Sequence, residues 1–202
     1  MKIVPISDSD FKKIPEDLHK YHPETKDELQ SILSDCIKER GNKCNLNDID
    51  VSKITDMHGL FYGMGDFNGD VSEWDVSNVK TMSYMFGDCK SFNGDISKWN
   101  VSMTFNLSGM FKNAEKFNCD ISGWNVINVH DMENMFAGAK SFNRDISGWD
   151  VSGVNDMHDM FHGAKSFNQD ISKWDVSKVK FRYGMFFDCP LEHKVDKRPN
   201  FA

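Results

Sequence analysis

Asparagine and aspartate recur two residues apart in this chain, as Asn68/Asp70, Asn93/Asp95, Asn118/Asp120, Asn143/Asp145 and Asn168/Asp170. Carboxylate and amide oxygens are hard-cation ligands, so one chemistry open to them is a stacked calcium array. The other is structural: an asparagine ladder, with Asx turns satisfying backbone N–H groups at a corner. Like charges on adjacent turns favour turn-bonded, partly solvated carboxylates. His158 and His162 lie four apart with Asp159 between them. Such a pair can bind zinc, but a site needs further ligands at set distances and the sequence offers none. His19, His22, His58, His130 and His193 form no arrangement that carries chemistry. There is no Gly-rich phosphate loop and no Ser/His/Asp order. The expectation is no enzyme, no cofactor and no metal.

Five cysteines, an odd number without a dense framework, agree with a reducing compartment. Cys89 and Cys189 share a repeat position with Ala114, Ala139 and Ala164, which reads as a small buried slot. Cys119 aligns with Gly69, Gly94, Arg144 and Gln169 and is expected to be exposed. Cys36 and Cys44 could pair, but their spacing fits no common metal motif.

What positions these residues is a repeat. Trp74, Trp99, Trp124, Trp149 and Trp174 are each 25 residues from the next. From Val51 to Phe186 no insertion or deletion breaks the period, giving units 51–75, 76–100, 101–125, 126–150 and 151–175 and a partial sixth over 176–190. The shared pattern is V-S-x-V-x-x-M-x-x-M-F-x-x-A-K-S-F-N-x-D-I-S-x-W-D. A fixed period of this length signals a solenoid, in which each unit buries its apolar face only against its neighbours. Val79, Met82, Met85 and Phe86 fall at i, i+3, i+6 and i+7, which predicts a short helix capped by Ser77 or Asn78 and stopped at Gly87-Asp88. Ile96, Trp99 and Val101 end in alternation, which predicts a short strand. The fold class expected is therefore α/β: a single right-handed solenoid, leucine-rich-repeat-like, with one short parallel strand and one short helix per turn and the tryptophans as an internal ladder.

Residues 1–45 carry no repeat. Over 23–40, Leu29, Ile32, Leu33, Cys36 and Ile37 line one helical face, with Pro23 near the start, Gly41 at the stop and capping-box spacing between Thr25 and Glu28. This segment is expected to cap the open end of the repeat core over 46–190. LNDIDVS, residues 46–52, reads as a degenerate strand of a zeroth turn. At the other end Arg182 replaces the usual methionine, Pro190 follows Cys189, and residues 191–202 form a polar tail.

Composition bounds the partners. The net charge of −7 disfavours nucleic acid and anionic membranes, which need a basic face. No apolar run approaches a membrane span, so no membrane insertion is expected. The start, MKIVPISDSDFKK, has no apolar core of a secretory signal, which reads as cytoplasmic.

The spacing I-x-x-W-x-V resembles the L-x-x-L-x-L segment of leucine-rich repeats, and M-F-x-x-A/C-x-x-F resembles the A-F-x-x-C-x-x-L of BspA-like bacterial surface repeats. The whole unit, N-V-x-x-M-x-x-M-F followed by F-N-x-D-I-S-x-W-D-V-S, is similar to the roughly 25-residue repeat of BspA-family proteins, also found in mycoplasma lipoproteins. The resemblance covers residues 46–190. It implies a leucine-rich-repeat-like fold, export to the cell surface or secretion, and binding of host proteins or other cells.

The function expected is a non-enzymatic protein-binding module, monomeric, with a protein partner. Alternatives are a cytoplasmic inhibitory or regulatory protein and a calcium-stabilised array. On the sheet face the contact candidates are Glu73, Asp75, Lys98, Asn100, Asn125, Ile127, Asp150, Lys173 and Asp175. The constant Asp/Asn column within this set reads as partly structural. Phe105 is expected to turn inward and fill the slot left by Thr104. The alternative is an apolar patch of Met103, Phe105 and Ile127 that anchors a partner.

Overall fold

The computed structural model describes residues 19–201. The first eighteen residues of the expected N-terminal segment lie outside them. Lys26–Arg40 form α1, the one α-helix among the described residues. Its start is fixed by a capping box. The Thr25 hydroxyl accepts the Glu28 N–H at 3.2 Å, and the Glu28 carboxylate accepts the N–H of Thr25 at 3.3 Å. Asp27 and Glu28 in the first turn and Lys38 and Arg40 in the last complement the helix dipole. Leu29, Leu33 and Cys36 bury its inner face, and Gly41 ends it at φ +84°.

The repeats correct the α/β expectation: they contain neither a helix nor a strand. Where a helix was expected at Val79–Phe86, the backbone N–H groups do not turn back on their own segment. Those of Met82, Tyr84, Phe86 and Asp88 donate to the carbonyls of Asn106, Ser108, Met110 and Lys112 in the next repeat, at 2.7–3.0 Å. Tyr84 and Asp88 also have positive φ, of 54° and 60°, which an α-helix forbids. The residues between are folded into tight turns, such as Met85 N–H to Met82 O and Gly87 N–H to Tyr84 O. A chain of three-residue turns puts i, i+3 and i+6 on one side, as a helix does, so the apolar spacing did not distinguish them.

The strand expected at Ile96–Val101 is likewise a turn, closed by Trp99 N–H to Ile96 O at 3.2 Å. Parallel pairing occurs instead where the helix was expected, and only as isolated bridges: Asp56 with Thr81, Thr81 with Asn106, Asn106 with Asp131, Asp131 with Asp156, and Asp156 with Phe181. The chain is thus a stack of irregular 25-residue coils. Leucine-rich-repeat architecture, with its continuous strand per turn, is absent. We call the segments 56–63, 81–88, 106–113, 131–138, 156–163 and 181–188 rungs.

Between rungs lies a core two phenylalanines wide. One file is Phe61, Phe86, Phe111, Phe136, Phe161 and Phe186, with centroids 5.3–6.0 Å apart between neighbours. The second, Phe67, Phe92, Phe117, Phe142 and Phe167, stacks on the first within each coil at 3.8–4.1 Å. Each stacked pair adds about 0.5–1.5 kcal/mol beyond area burial. The five tryptophans are 3–5% exposed. Each indole N–H donates to a carbonyl 28 residues earlier, from Trp74 to Leu46 through Trp174 to Ile146. The column is thereby both apolar and free of orphaned donors.

Cys89 and Cys189 are buried in the slot they share with Ala114, Ala139 and Ala164. Cys36 and Cys44 are buried free thiols. Cys119, expected to be exposed, is half-buried with Sγ 3.5 Å from the Ile96 N. Thr104 itself fills the slot assigned to Phe105: it is fully buried, its hydroxyl donating to the Val79 carbonyl at 2.8 Å, and Phe105 points outward at 47% exposure. Satisfying the threonine hydroxyl removes the vacancy that an inward Phe105 would have filled. Residues 191–201 fold back on the stack. Leu191 and Pro199 are buried, and the Lys197 carbonyl accepts the Ile171 N–H at 3.0 Å.

Candidate functional site

The asparagine column is a ladder. Asn68 Oδ1 accepts the backbone N–H of Asn93 at 2.8 Å, and the bond recurs from Asn93 to Asn118, from Asn118 to Asn143 and from Asn143 to Asn168. Lys194 Nζ donates to the last side chain at 2.7 Å. The aspartates two residues on are committed to Asx turns: Asp70, Asp95, Asp120, Asp145 and Asp170 each accept the N–H of a serine two residues later at 2.9–3.0 Å. Hydrogen bonds from those serines, through N–H and hydroxyl, hold all five carboxyls below the usual range.

The sheet-face candidates have no sheet to sit on, since pairing is by isolated bridges in the rungs, with Tyr21 to Ile49 and Asn45 to Asp70 beside them. Asp75, Asn100, Asn125, Asp150 and Asp175 accept the N–H of the residue two on, at 3.0–3.3 Å, and so shape a second turn. Glu73 and Lys98 pair at 3.6 Å across coils, both largely exposed. Lys173 is exposed, and Ile127 and Met103 are 49% and 55% exposed. Glu73 and Lys98 line a small open cavity of about 320 Å³ together with Asn68, Asp70 and Asp95.

The structure gathers a different set. Positive φ recurs in two columns of every rung: Gly59, Tyr84, Gly109, Asn134, Asp159 and Gly184 in one, and Gly63, Asp88, Asn113, Gly138, Gly163 and Asp188 in the other. Glycine, asparagine and aspartate tolerate this left-handed region; tyrosine does so only at a cost. Tyr84 is the exception, with φ 54°. Its ring lies across Gly109 of the next rung, where an added Cβ would stand 2.5 Å from Cε1. The Tyr62 ring lies across Gly87 in the same way, at 2.9 Å.

Tyr62 and Tyr84 meet edge to face at 6.0 Å, and His58 meets Tyr84 at 6.3 Å. Lys112 reaches over the Tyr84 ring at 5.9 Å. His58 Nδ1 is 2.7 Å from the Ser83 hydroxyl, which orients the imidazole. The first turns of α1 close the other wall with Lys26, Asp27 and Gln30, Lys26 being 3.5 Å from Asp56. The cleft is open to solvent and has a volume of about 710 Å³. Partial burial raises the Tyr84 hydroxyl above its ordinary pKa, and the hydrogen bond to the Asp88 carboxylate raises that of Tyr62. Both phenols therefore stay neutral donors at physiological pH. The cleft offers two aromatic faces, ammonium and carboxylate groups, a carboxamide and an imidazole: an anchor for a side chain or segment with both apolar and polar parts. Sequence reasoning passed over it. The available signal was one tyrosine in a column otherwise made of Gly, Asn and Asp.

At the other end of the same face, Asp159 bridges the two histidines, 3.1 Å from His158 Nε2 and 3.2 Å from His162 Nδ1. Among the described residues no group of three or more His, Cys, Asp or Glu side chains is arranged to hold a metal ion. Burial pushes the Cys89 thiol up to about 12 and that of Cys189 to about 11, far from a reactive thiolate at neutral pH. No helix among the described residues is long and apolar enough to cross a membrane. A family model described as "Mycoplasma protein of unknown function, DUF285" matches the chain over residues 27–143 and 119–195. No curated protein and no solved structure matches it.

Proposed function

The chain belongs to the DUF285 family of Mycoplasma proteins, and on that premise we propose that it is a non-enzymatic module that binds a protein partner through the Tyr62–Tyr84 cleft. The observation that carries this reading is Tyr84 itself. A non-glycine residue in the left-handed region costs on the order of 1–3 kcal/mol, and such outliers cluster at binding sites. Glycine, the residue of that column in the first, third and sixth rungs, would avoid the cost. Tyrosine there adds only a partly exposed ring above a cleft, beside another tyrosine, a histidine and a lysine. Tyrosine is enriched among residues that dominate interface energies.

Burial keeps the Cys89 and Cys189 thiols protonated, and the aspartates from Asp70 to Asp170 are bonded into turns, which supports a binding role over an enzymatic one. The likeness of the repeat to BspA-like surface proteins supports a partner met outside the cell; protease accessibility on intact cells tests that placement. The binding test is Tyr84→Gly beside Tyr62→Ala, with a cross-linked partner captured by wild-type protein. Tyr84→Gly should melt at or above the wild-type temperature and lose at least tenfold in affinity. Unchanged affinity in both variants would remove the cleft from consideration.

A further inference from the structure

Every backbone hydrogen bond between the described rungs points the same way. The four N–H groups that leave one rung meet four carbonyls of the next, as Met157, Asp159, Phe161 and Gly163 meet Phe181, Tyr183, Met185 and Phe187 at 2.8–3.0 Å. The last rung, 181–188, therefore faces outward with donors only. Asp188 N–H is taken by the Glu192 carboxylate at 2.9 Å, but the N–H groups of Arg182, Gly184 and Phe186 have no acceptor among the described residues. Phe186 is a buried residue, where an unpaired N–H is costly. Those three groups border a cavity of about 600 Å³ between the rung and the folded-back residues 192–201.

Two guanidinium groups stand at this cavity. Arg182 stacks on Phe201 at 4.7 Å and Arg198 on Phe186 at 5.4 Å; neither pairs with a carboxylate among the described residues. Arg198 Nε is buried without a partner, alone among the buried side-chain nitrogens and oxygens of the described residues. Oriented backbone donors beside unneutralised arginines form a concavity for negative charge, in a protein whose net charge is −7.

We infer that the outward edge of the last rung binds an extended acidic peptide segment of a partner. Its alternate backbone carbonyls accept from Arg182, Gly184 and Phe186, and its carboxylates reach Arg182 and Arg198. The spacing of the donors on alternate residues is what an added extended chain satisfies. Exposed Phe181, Tyr183 and Phe187 on the same rung offer contact for apolar residues between the acids. A second copy of this chain does not fit: its matching carbonyl edge, at Asp56, His58, Leu60 and Tyr62, is flanked by α1 through Lys26 and Gln30.

The test is an NMR titration of the ¹⁵N-labelled chain with acetylated, amidated Glu-Val-Glu-Val-Glu. The amides of Arg182, Gly184 and Phe186 should shift together. Affinity should fall at least tenfold in Arg182→Gln and in Arg198→Gln, and stay within twofold in Lys173→Gln. Arg198→Gln is read only if its melting temperature is retained; the exposed Arg182→Gln stands by itself. The proposal fails if the three amides do not move, if Lys-Val-Lys-Val-Lys moves them equally, or if succinate alone reproduces the shifts at the same concentration. It also fails if sedimentation shows the free chain already self-associated with these amides shielded.

Discussion

The Tyr84 ring occupies the space that a side chain at Gly109 would need: an added Cβ would stand 2.5 Å from Tyr84 Cε1. Gly109 is also at φ +59°, so alanine there is strained twice, by its own backbone and by the ring. Gly109→Ala should cost about 1–3 kcal/mol. Tyr84→Gly combined with it should recover part of that loss, giving a non-additive double-mutant cycle by chemical denaturation. Simple additivity would mean the two residues do not share the space.

Trp124 separates packing from hydrogen bonding. Trp124→Ala removes a 3% exposed ring and should cost about 3–5 kcal/mol. Trp124→Phe keeps an aromatic ring but removes the indole N–H that donates to the Ile96 carbonyl at 3.1 Å; that carbonyl still accepts the Trp99 N–H. That variant should lose about 0.5–1.5 kcal/mol for the hydrogen bond and leave a smaller cavity than alanine, so its total loss is clearly less. Equal losses would show that the indole N–H governs the column.

Acid should act on the turns in one direction and on Asp131 in the other. The turn aspartates, held low by their serines, add stability that is present above the unfolded aspartate pKa of about 3.9 and lost as pH falls through the folded values. Burial instead raises Asp131, so its ionised form weakens the fold at neutral pH, and that cost fades as pH falls through its raised pKa. Asparagine already serves the equivalent position as Asn106, whose Oδ1 accepts the Ser108 N–H at 2.8 Å. Asp131→Asn should therefore be the more stable protein at pH 7, with the gap closing below pH 4. Melting curves across pH 3–7 measure it; a less stable variant at pH 7 would reverse the assignment.

The period, the inward residues and the capping box of α1 were legible because each depends only on spacing. Any coil that closes every 25 residues superposes Phe61 on Phe86 and Trp74 on Trp99, whatever backbone lies between. Local conformation was not legible, because Met82, Met85 and Phe86 share one side in a helix and in a run of tight turns alike. What distinguished the two was the column of Gly59, Gly109, Asn134, Asp159 and Gly184, residue types suited to positive φ. The sheet face was misplaced for the same reason. Glu73, Lys98 and Ile127 were placed on a sheet face, and the pairing that would have made one lies in the rungs.

Because each rung offers the next the same four donors, units of this stack are interchangeable, and a whole unit could be gained or lost without altering either end. The Tyr84 cleft is tied to the first rungs and the Arg182–Arg198 edge to the last. Their separation is therefore counted out in steps of one inter-rung spacing, about 4.8 Å. Repeat number in such a chain acts as a ruler: it sets how far apart two contacts on a partner must lie, leaving the chemistry of each contact untouched.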